Sequence, residues 1–391
     1  MVRIGFLRIM ELMLAQQFVY WCETASAAER CAAVAMLADA VVNRKFLPSD
    51  LREAEAALMV AAEDPSPRVR RAIADGVASA GNAPRQLVRL LSRDIDDVAV
   101  PVIVLSPLLT VEDLCDLVRA GRPAVSLAVA KRLQLPATVA AEIVAGGDAV
   151  ACLELARNQT AELEGAALCH LVEEAAQASD LRFALLQRGD LPAGLRHALL
   201  SCLGDALCRS ALVANIVGPT RAERLRQDVH EQATASLIDS VKADELSAFV
   251  EQLRGTSQLN AAVLVRAVCM GRIDLFAASM ARLTGLSDER VRSVIADARE
   301  PAFMALASAA GLPKTVVPLL LSAVRVWKDM AGDDRFDHAD VASSVMERVV
   351  IAFRKDADGA EADELSRLLH RMSCEMQQAS ARRRTDRYLA A

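Results

Sequence analysis

The sequence predicts an all-α protein, an α-solenoid of stacked helical hairpins followed by a C-terminal helical domain. Hydrophobic residues make up 53% of the 391 residues, yet aromatic residues make up only 3%. The apolar bulk is therefore Ala, Leu and Val, which favour helices and let them approach closely. Similar segments also recur at intervals of 25 to 31 residues, which is typical of a helical repeat.

The clearest repeated segment is "EDPSPRVRRAIADGVA", residues 63–78. Asp64 is placed to cap a helix, and Pro65 and Pro67 suit a first turn, whose N–H groups have no helical partner. Val69 then begins an apolar stripe at helical spacing. We expect this segment to be the second helix of a hairpin.

Four later segments place an apolar anchor where the first one has Val69. These anchors are Val98, Val125, Val150 and Leu181. The intervening helices also resemble one another, since "LPATVAAEIV" and "LPAGLRHALL" share an opening that suits a first helical turn. The alternation predicts hairpins that stack through their second helices.

Two helix starts can be predicted from capping residues. In "LPSDLREAEA", Asp50 is a candidate N-cap with Glu53 three residues later. In "LTVEDLCDLV", Thr110 and Asp113 have the same capping-box spacing. We expect a helix to begin at each of these pairs.

A break falls at "NIVGPTRAE", where Gly218-Pro219 is expected to end one helix and reset the chain. This predicts a repeat domain over residues 1–218 and a C-terminal α-helical domain over 219–391. Predicted helices of the second domain cover 221–241, 244–254, 257–284, 288–297, 314–331, 338–354 and 361–388. The repeat is weaker there, so the sequence leaves open whether the solenoid continues.

These segments resemble HEAT-like repeats, in which a short turn with Asp and Pro opens a second helix carrying an early Val-Arg pair; "EDPSPRVRRAIA" has this form. The stretch "AGNAPRQLVRLLSRDIDDVAVPVIVLSPLLTVEDL" is similar to a bacterial HEAT-like family known only as a domain of unknown function. The resemblance covers about residues 30–215. It implies a helical repeat fold and supplies no activity or catalytic residue.

Arginines provide the candidate binding residues. In three segments an arginine follows the anchor by seven positions: Arg132, Arg157 and Arg188. Arg70, Arg71 and Asn158 would join the same surface. One interpretation is a structural ladder in which these arginines pair with Asp148 and Asp180. The other is a row of guanidinium groups that binds an acidic partner or a phosphate.

No catalytic, metal or cofactor site is predicted. The sequence has no phosphate-binding glycine loop and no nucleophile elbow. None of the five histidines has the spacing of a zinc pair on one helix. Acidic pairs such as Asp96–Asp97 fall in polar turns, where water keeps them ordinary acids.

The leading functional hypothesis is a non-catalytic protein-interaction scaffold or adaptor with a regulatory or signalling role. The alternative is a sensor of a small phosphorylated ligand or nucleotide that uses the arginines at the repeat helix ends. A HEAT-like nucleic-acid enzyme is the third and least favoured hypothesis. It requires a strongly basic groove, whereas the net charge is −6.

A protein partner is expected, and a homodimer is a further option because residues 1–22 form a predicted amphipathic helix with an apolar face. No run is long and apolar enough for a transmembrane helix, and there is no strong nucleic-acid signal. The nine cysteines are scattered without a C-x-x-C pair, which favours a reducing, cytoplasmic setting.

Overall fold

A computed structural model describes residues 20–21, 24–210, 218–238, 240–330, 342, 345–351, 366–375 and 378. Most of the predicted N-terminal helix lies outside these residues. Throughout the described residues every regular element is a helix, so the prediction of an all-α fold is confirmed. The chain divides between Asp190 and Leu191 into two compact units, and each is described separately.

Unit 1 contains eleven helices with defined bounds. They are α1 (Ala27–Val42), α2 (Pro48–Ala61), α3 (Pro67–Val77), α4 (Arg85–Ser92), α5 (Asp96–Leu105), α6 (Val111–Arg119), α7 (Pro123–Ala130), α8 (Ala137–Ala145), α9 (Ala149–Arg157), α10 (Gly165–Ala175) and α11 (Ser179–Leu186). They are short and joined by brief turns, as expected for helical hairpins.

The helices of unit 1 form two layers. Helices α1, α3, α5, α7, α9 and α11 each contact the next member of that series, and α6, α8 and α10 do the same in the other layer. Pairs such as α4 with α5 and α6 with α7 connect the layers. This packing is the solenoid-like arrangement predicted from the repeat, and the second helices form one continuous layer.

Helix caps confirm one predicted start and correct two others. Thr110 and Asp113 form the predicted capping box at the start of α6. Helix α2 instead begins at Pro48, so Asp50 lies in its first turn. Helix α3 has Ser66 at its N-cap position, and Asp64 accepts a hydrogen bond from the Ser66 N–H while pairing with Arg30.

Four of the five predicted anchors are buried, and the prediction for the fifth is wrong. Val69, Val98, Val125 and Leu181 are all buried. Val150 is 61% exposed, and the next residue, Ala151, occupies the buried position. One residue rotates a helical position by about 100°, so this shift turns the whole predicted stripe of α9. The corrected spacings are 26 residues from Val125 to Ala151 and 30 from Ala151 to Leu181.

Unit 2 contains eight helices with defined bounds. They are α12 (Ala193–Arg209), α13 (Pro219–Ile238), α14 (Leu246–Gly255), α15 (Ala261–Cys269), α16 (Ile273–Thr284), α17 (Asp288–Asp297), α18 (Glu300–Ala309) and α19 (Val317–Met330). Residues 345–351 and 366–375 are also helical.

Alternate helices stack in unit 2 as well: α12 on α14, α14 on α16, and α16 on α18. The predicted helix over 257–284 is two helices, α15 and α16, separated at Gly271, whose φ of 79° is favourable for glycine. Helix α18, which opens with a proline in its first turn, was not predicted. Helix α12 packs on α13 within this unit, and the domain boundary near residue 218 stays a prediction.

Candidate functional site

The C-terminal ends of the second helices are joined by a ladder of side chains. Arg132, after α7, donates hydrogen bonds to the Ile103 and Ser106 carbonyls at the end of α5. Asn158, after α9, donates to the Ala130 and Arg132 carbonyls at distances of 2.9 and 2.6 Å. The last carbonyls of a helix lack helical partners, so each repeat caps the repeat before it.

Arg188 continues this series of hydrogen bonds to backbone carbonyls. We call the series formed by Arg132, Asn158 and Arg188 the carbonyl ladder. It donates to the Asn158 and Ala161 carbonyls at 2.6 and 2.7 Å, and its guanidinium pairs through two nitrogens with Asp190. Its side chain is only 1% exposed. A buried arginine needs such partners, because an unpaired charge would lose its hydration without compensation. The Arg188 side chain therefore holds two neighbouring repeats together.

The corrected register of α9 explains why Asn158 and not Arg157 belongs to the carbonyl ladder. Arg132 and Arg188 each follow their anchor by seven residues, and Asn158 follows Ala151 by seven. Arg157 is one position earlier and lies on the exposed surface. The sequence pattern groups Arg157 with the other two arginines only because it places Val150, and not Ala151, in the buried position.

The two N-terminal candidates are also engaged in the structure. Arg70 forms a two-point ion pair with Asp94, at 2.6 and 2.8 Å, and donates to the Asp64 carbonyl. The hydrogen bond from Arg70 lowers the pKa of the Asp94 carboxyl. Arg71 pairs with Asp75 on its own helix and donates to the Asp97 carbonyl at the start of α5.

Unit 2 contains the same arrangement in Arg272. Its guanidinium donates to the Ile238 and Val241 carbonyls and pairs with Asp274, two residues further along the chain. Arg188 and Asp190 have that same spacing. Both units therefore use an Arg-x-Asp sequence to bind backbone carbonyls at or after the end of an earlier helix.

The six candidate residues do not converge on one ligand site. Five of them contact backbone carbonyls or carboxylates of unit 1, and Arg157 alone lies in an open groove. The predicted partners Asp148 and Asp180 are not used by Arg132 or Arg188 in the contacts above; Asp148 instead caps α9 by accepting from the Val150 N–H. The arrangement has the geometry of the structural ladder, with carbonyls as the main acceptors.

A row of apolar side chains runs across the exposed face of the second-helix layer. Counted from the corrected anchors, the position two residues later is apolar in four successive helices. The members of this apolar row are Val100, Leu127, Leu153 and Phe183. The first three are half-buried, and Phe183 is 66% exposed. On α3 the equivalent residue is Arg71, so the row begins at α5.

Charged residues border the apolar row on both sides. The capped helix ends show that α5, α7, α9 and α11 are parallel, so their N-termini form one rim and their C-termini the other. Asp97 and Asp180 are exposed at the N-terminal rim, while Lys131 and Arg157 are exposed at the C-terminal rim. Beside Phe183, α9 and α11 enclose a groove of about 250 Å³.

Sequence reasoning missed the apolar row because the anchor of α9 was misplaced. With Val150 as the anchor, the position two residues later is Cys152, which is buried. The sequence signal for the apolar row is an apolar residue two positions after the buried anchor of each hairpin's second helix, on the side that is otherwise polar.

Other chemistry is limited in the described part of the chain. No group of three or more His, Cys, Asp or Glu side chains there is arranged to hold a metal ion. The described cysteines are free thiols, and burial raises the pKa of Cys269 to about 12, which keeps it protonated. None of the described helices is both long enough and apolar enough to cross a membrane.

Comparisons with known proteins assign the chain to a family without assigning an activity. No curated protein and no solved structure shows significant similarity to it. The profile of DUF2336, described as an uncharacterised protein conserved in bacteria, matches residues 98–356, which is more than half of the chain. That span includes parts of both units, whereas the predicted resemblance covered only residues 30–215. The chain belongs to this bacterial family, DUF2336.

Proposed function

We propose that the protein is a non-catalytic interaction scaffold or adaptor, and that unit 1 binds an amphipathic helix of a partner protein along the apolar row. The single observation that carries this proposal is the alignment of Val100, Leu127, Leu153 and Phe183 on four stacked helices. Apolar side chains that line up across repeats and stay partly exposed favour a binding surface over a solvated one.

The geometry of the apolar row favours a helix as the occupant. Packed helices are typically about 8–10 Å apart, so a row across four helices is about 27 Å long, the length of a helix of about 18 residues. Phe183 and the adjoining groove supply an anchor point of the kind that dominates binding energy. An amphipathic helix matches such a surface through apolar residues on one face.

The rims specify the charges of the partner. Asp97 and Asp180 favour a helix with lysine or arginine along one edge, and Lys131 and Arg157 favour acidic residues along the other. These exposed charges act mainly on association rate and orientation, while the apolar contacts supply most of the affinity. A regulatory or signalling role would follow from which partner carries this helix.

The test is site-specific photo-crosslinking in the native cell. A photoreactive residue replaces Leu127 or Leu153 in separate variants, and Met36 of α1, which is 74% exposed, serves as the control position. We expect the same partner to be cross-linked from both row positions and not from Met36. Phe183→Asp should abolish these adducts without changing the circular dichroism spectrum, because the ring is largely exposed.

Three outcomes would contradict the proposal. Adducts that also form from Met36 would indicate non-specific contact. Adducts that persist in Phe183→Asp would show that the apolar row does not provide the affinity. Adducts that contain only a second copy of the chain would make the row a homodimer interface, which is the other predicted kind of partner.

A further inference from the structure

Unit 2 contains a cleft with largely polar walls. Its volume is about 740 Å³, within the range of small-molecule sites, and its walls come from α12, α13, the turn after α14, α15 and the helix at 366–375. The lining side chains include arginines, carboxylates, amides and hydroxyls, and among the described lining residues there is no Phe, Tyr or Trp.

A hydrogen-bond network holds one wall of this cleft in place. Gln258 donates to Nδ1 of His230 at 3.2 Å, and its carbonyl oxygen accepts from Nε2 of His197 at 2.8 Å and from the Thr234 hydroxyl at 2.9 Å. Nε2 of His230 donates to Asp205 at 3.0 Å, because a carboxylate oxygen can only accept.

The same network favours a binding role for the cleft over a catalytic one. Both ring nitrogens of His230 are engaged, so neither is available to accept a proton from a substrate. His197 is completely buried behind this wall. A network with its members held by one another presents fixed polar groups, which is the property of a preorganised binding site.

Three arginines supply cationic groups to the cleft: Arg226, Arg266 and Arg371. Arg371 makes long contacts with Glu231 and Asp228, at 3.5 and 3.8 Å. Arg226 pairs closely with Glu223 and more loosely, at 3.6 Å, with Asp205. Both side chains are partly exposed, and an entering anion can replace the long contacts at little cost.

Two buried donors on the cleft wall lack acceptors among the described residues. They are the Ser201 hydroxyl and Nε of Arg266, whose other end pairs with Glu375 at 2.5 Å. Buried donors without acceptors are unusual in folded proteins and call for an explanation.

We propose that this cleft binds a small phosphorylated polyol, such as a sugar phosphate. The phosphate would contact the arginines, which bind such oxygens through paired N–H groups. Sugar hydroxyls would donate to Asp205 and Glu231 and exchange hydrogen bonds with the amide side chains of the lining. A nucleobase is disfavoured because the described lining offers no Phe, Tyr or Trp ring for stacking.

The test is calorimetric titration of the full chain with a panel of sugar phosphates of three to seven carbons, including ribose 5-phosphate. Free ribose, inorganic phosphate and AMP are titrated in parallel. We expect at least one sugar phosphate to bind at least tenfold more tightly than each of these three. Raising the salt concentration should weaken that binding, because the phosphate contacts are ionic.

A matched pair of variants locates the site. Arg226 and Arg254 each pair with a glutamate three residues earlier, but only Arg226 lines the cleft. Arg226→Gln should weaken binding at least tenfold, and Arg254→Gln should leave it unchanged. Arg371→Gln is the second cleft variant and should also weaken binding, and circular dichroism checks that each variant is folded.

Several results would overturn the proposal. If no sugar phosphate binds, or if inorganic phosphate binds as tightly, the arginines make at most an adventitious anion site. If AMP binds more tightly than every sugar phosphate, the ligand class is wrong. If Arg226→Gln and Arg371→Gln bind like the unaltered protein, the ligand occupies another place.

Discussion

The carbonyl ladder predicts that two arginines with the same position in the sequence pattern contribute very differently to stability. Arg188→Met removes a guanidinium that is 1% exposed and bonded to the Asn158 and Ala161 carbonyls. Methionine keeps much of the side-chain volume, so the loss comes mainly from hydrogen bonding. Arg157→Met alters an exposed side chain in an open groove.

The magnitude for Arg188 follows from its contacts. A hydrogen bond from a charged group contributes about 1.5–3 kcal/mol, and a buried carbonyl left unsatisfied costs a comparable amount. The Asp190 carboxylate is half-exposed and can be rehydrated, so its pairing with Arg188 adds little. We expect Arg188→Met to lower the free energy of unfolding of unit 1 by about 3–5 kcal/mol. Arg157→Met should change it by no more than about 0.5 kcal/mol.

Asn158→Ala provides an intermediate case. It removes two hydrogen bonds from a neutral amide to the Ala130 and Arg132 carbonyls, for an expected loss of about 1–3 kcal/mol. The measurement is urea unfolding followed by circular dichroism, with hydrogen exchange of peptides from residues 149–190 to assign the transition to unit 1. A loss for Arg157→Met equal to or larger than that for Arg188→Met would refute the corrected register and the ladder.

Three further predictions concern packing, pH and thiol reactivity. Gly76→Ala places a methyl 2.8 Å from a buried alanine of α1 and should cost about 1–3 kcal/mol of unfolding free energy by thermal denaturation. Gly255→Ala, with open space around it, should be neutral or stabilising, and equal losses would contradict the close contact. Burial lowers the pKa of His197 from its ordinary 6.5, so the unfolded chain takes up this proton first. The free energy of unfolding that the neutral His197 contributes is fully present above pH 6.5 and decreases as the pH falls below 6.5. Melting temperatures measured between pH 7.5 and 5 should therefore depend less steeply on pH in His197→Gln. Alkylation read by mass spectrometry should label the exposed Cys169 in the native protein but the buried Cys269 only on unfolding; early labelling of Cys269 would argue against the packing of α15.

The fold class was predictable because it depends on local sequence. Alanine and leucine at helical spacing, prolines in first turns and the capping box at Thr110 and Asp113 act within one helix or one turn. A repeat period emerges when such signals recur, and the stacking of alternate helices in unit 1 follows from it.

The candidate site was less predictable because its residues depend on register. Val150 and Ala151 are both apolar, and local spacing alone could not decide which of them is buried. Because Ala151 is the buried residue, Arg157 lies on the surface, Asn158 belongs to the carbonyl ladder and Leu153 falls in the apolar row with Phe183.

The unit 2 cleft could not be predicted from sequence patterns, because its residues are far apart along the chain. His197, His230 and Gln258 are separated by 28 to 61 residues, and no spacing along one helix relates them. They meet because α12, α13 and the turn after α14 pack side by side. The arginines of the cleft likewise come from three helices and have no common motif.

The sequence by itself determined that this protein is an all-α chain of stacked helices, because composition, capping and period are properties of short segments. Only the tertiary structure decided which polar side chains hold repeats together and which surfaces stay available for binding. The physical reason is that a guanidinium such as that of Arg188 takes whatever acceptors the stacked helices bring within reach, and these lie about 30 residues away along the chain.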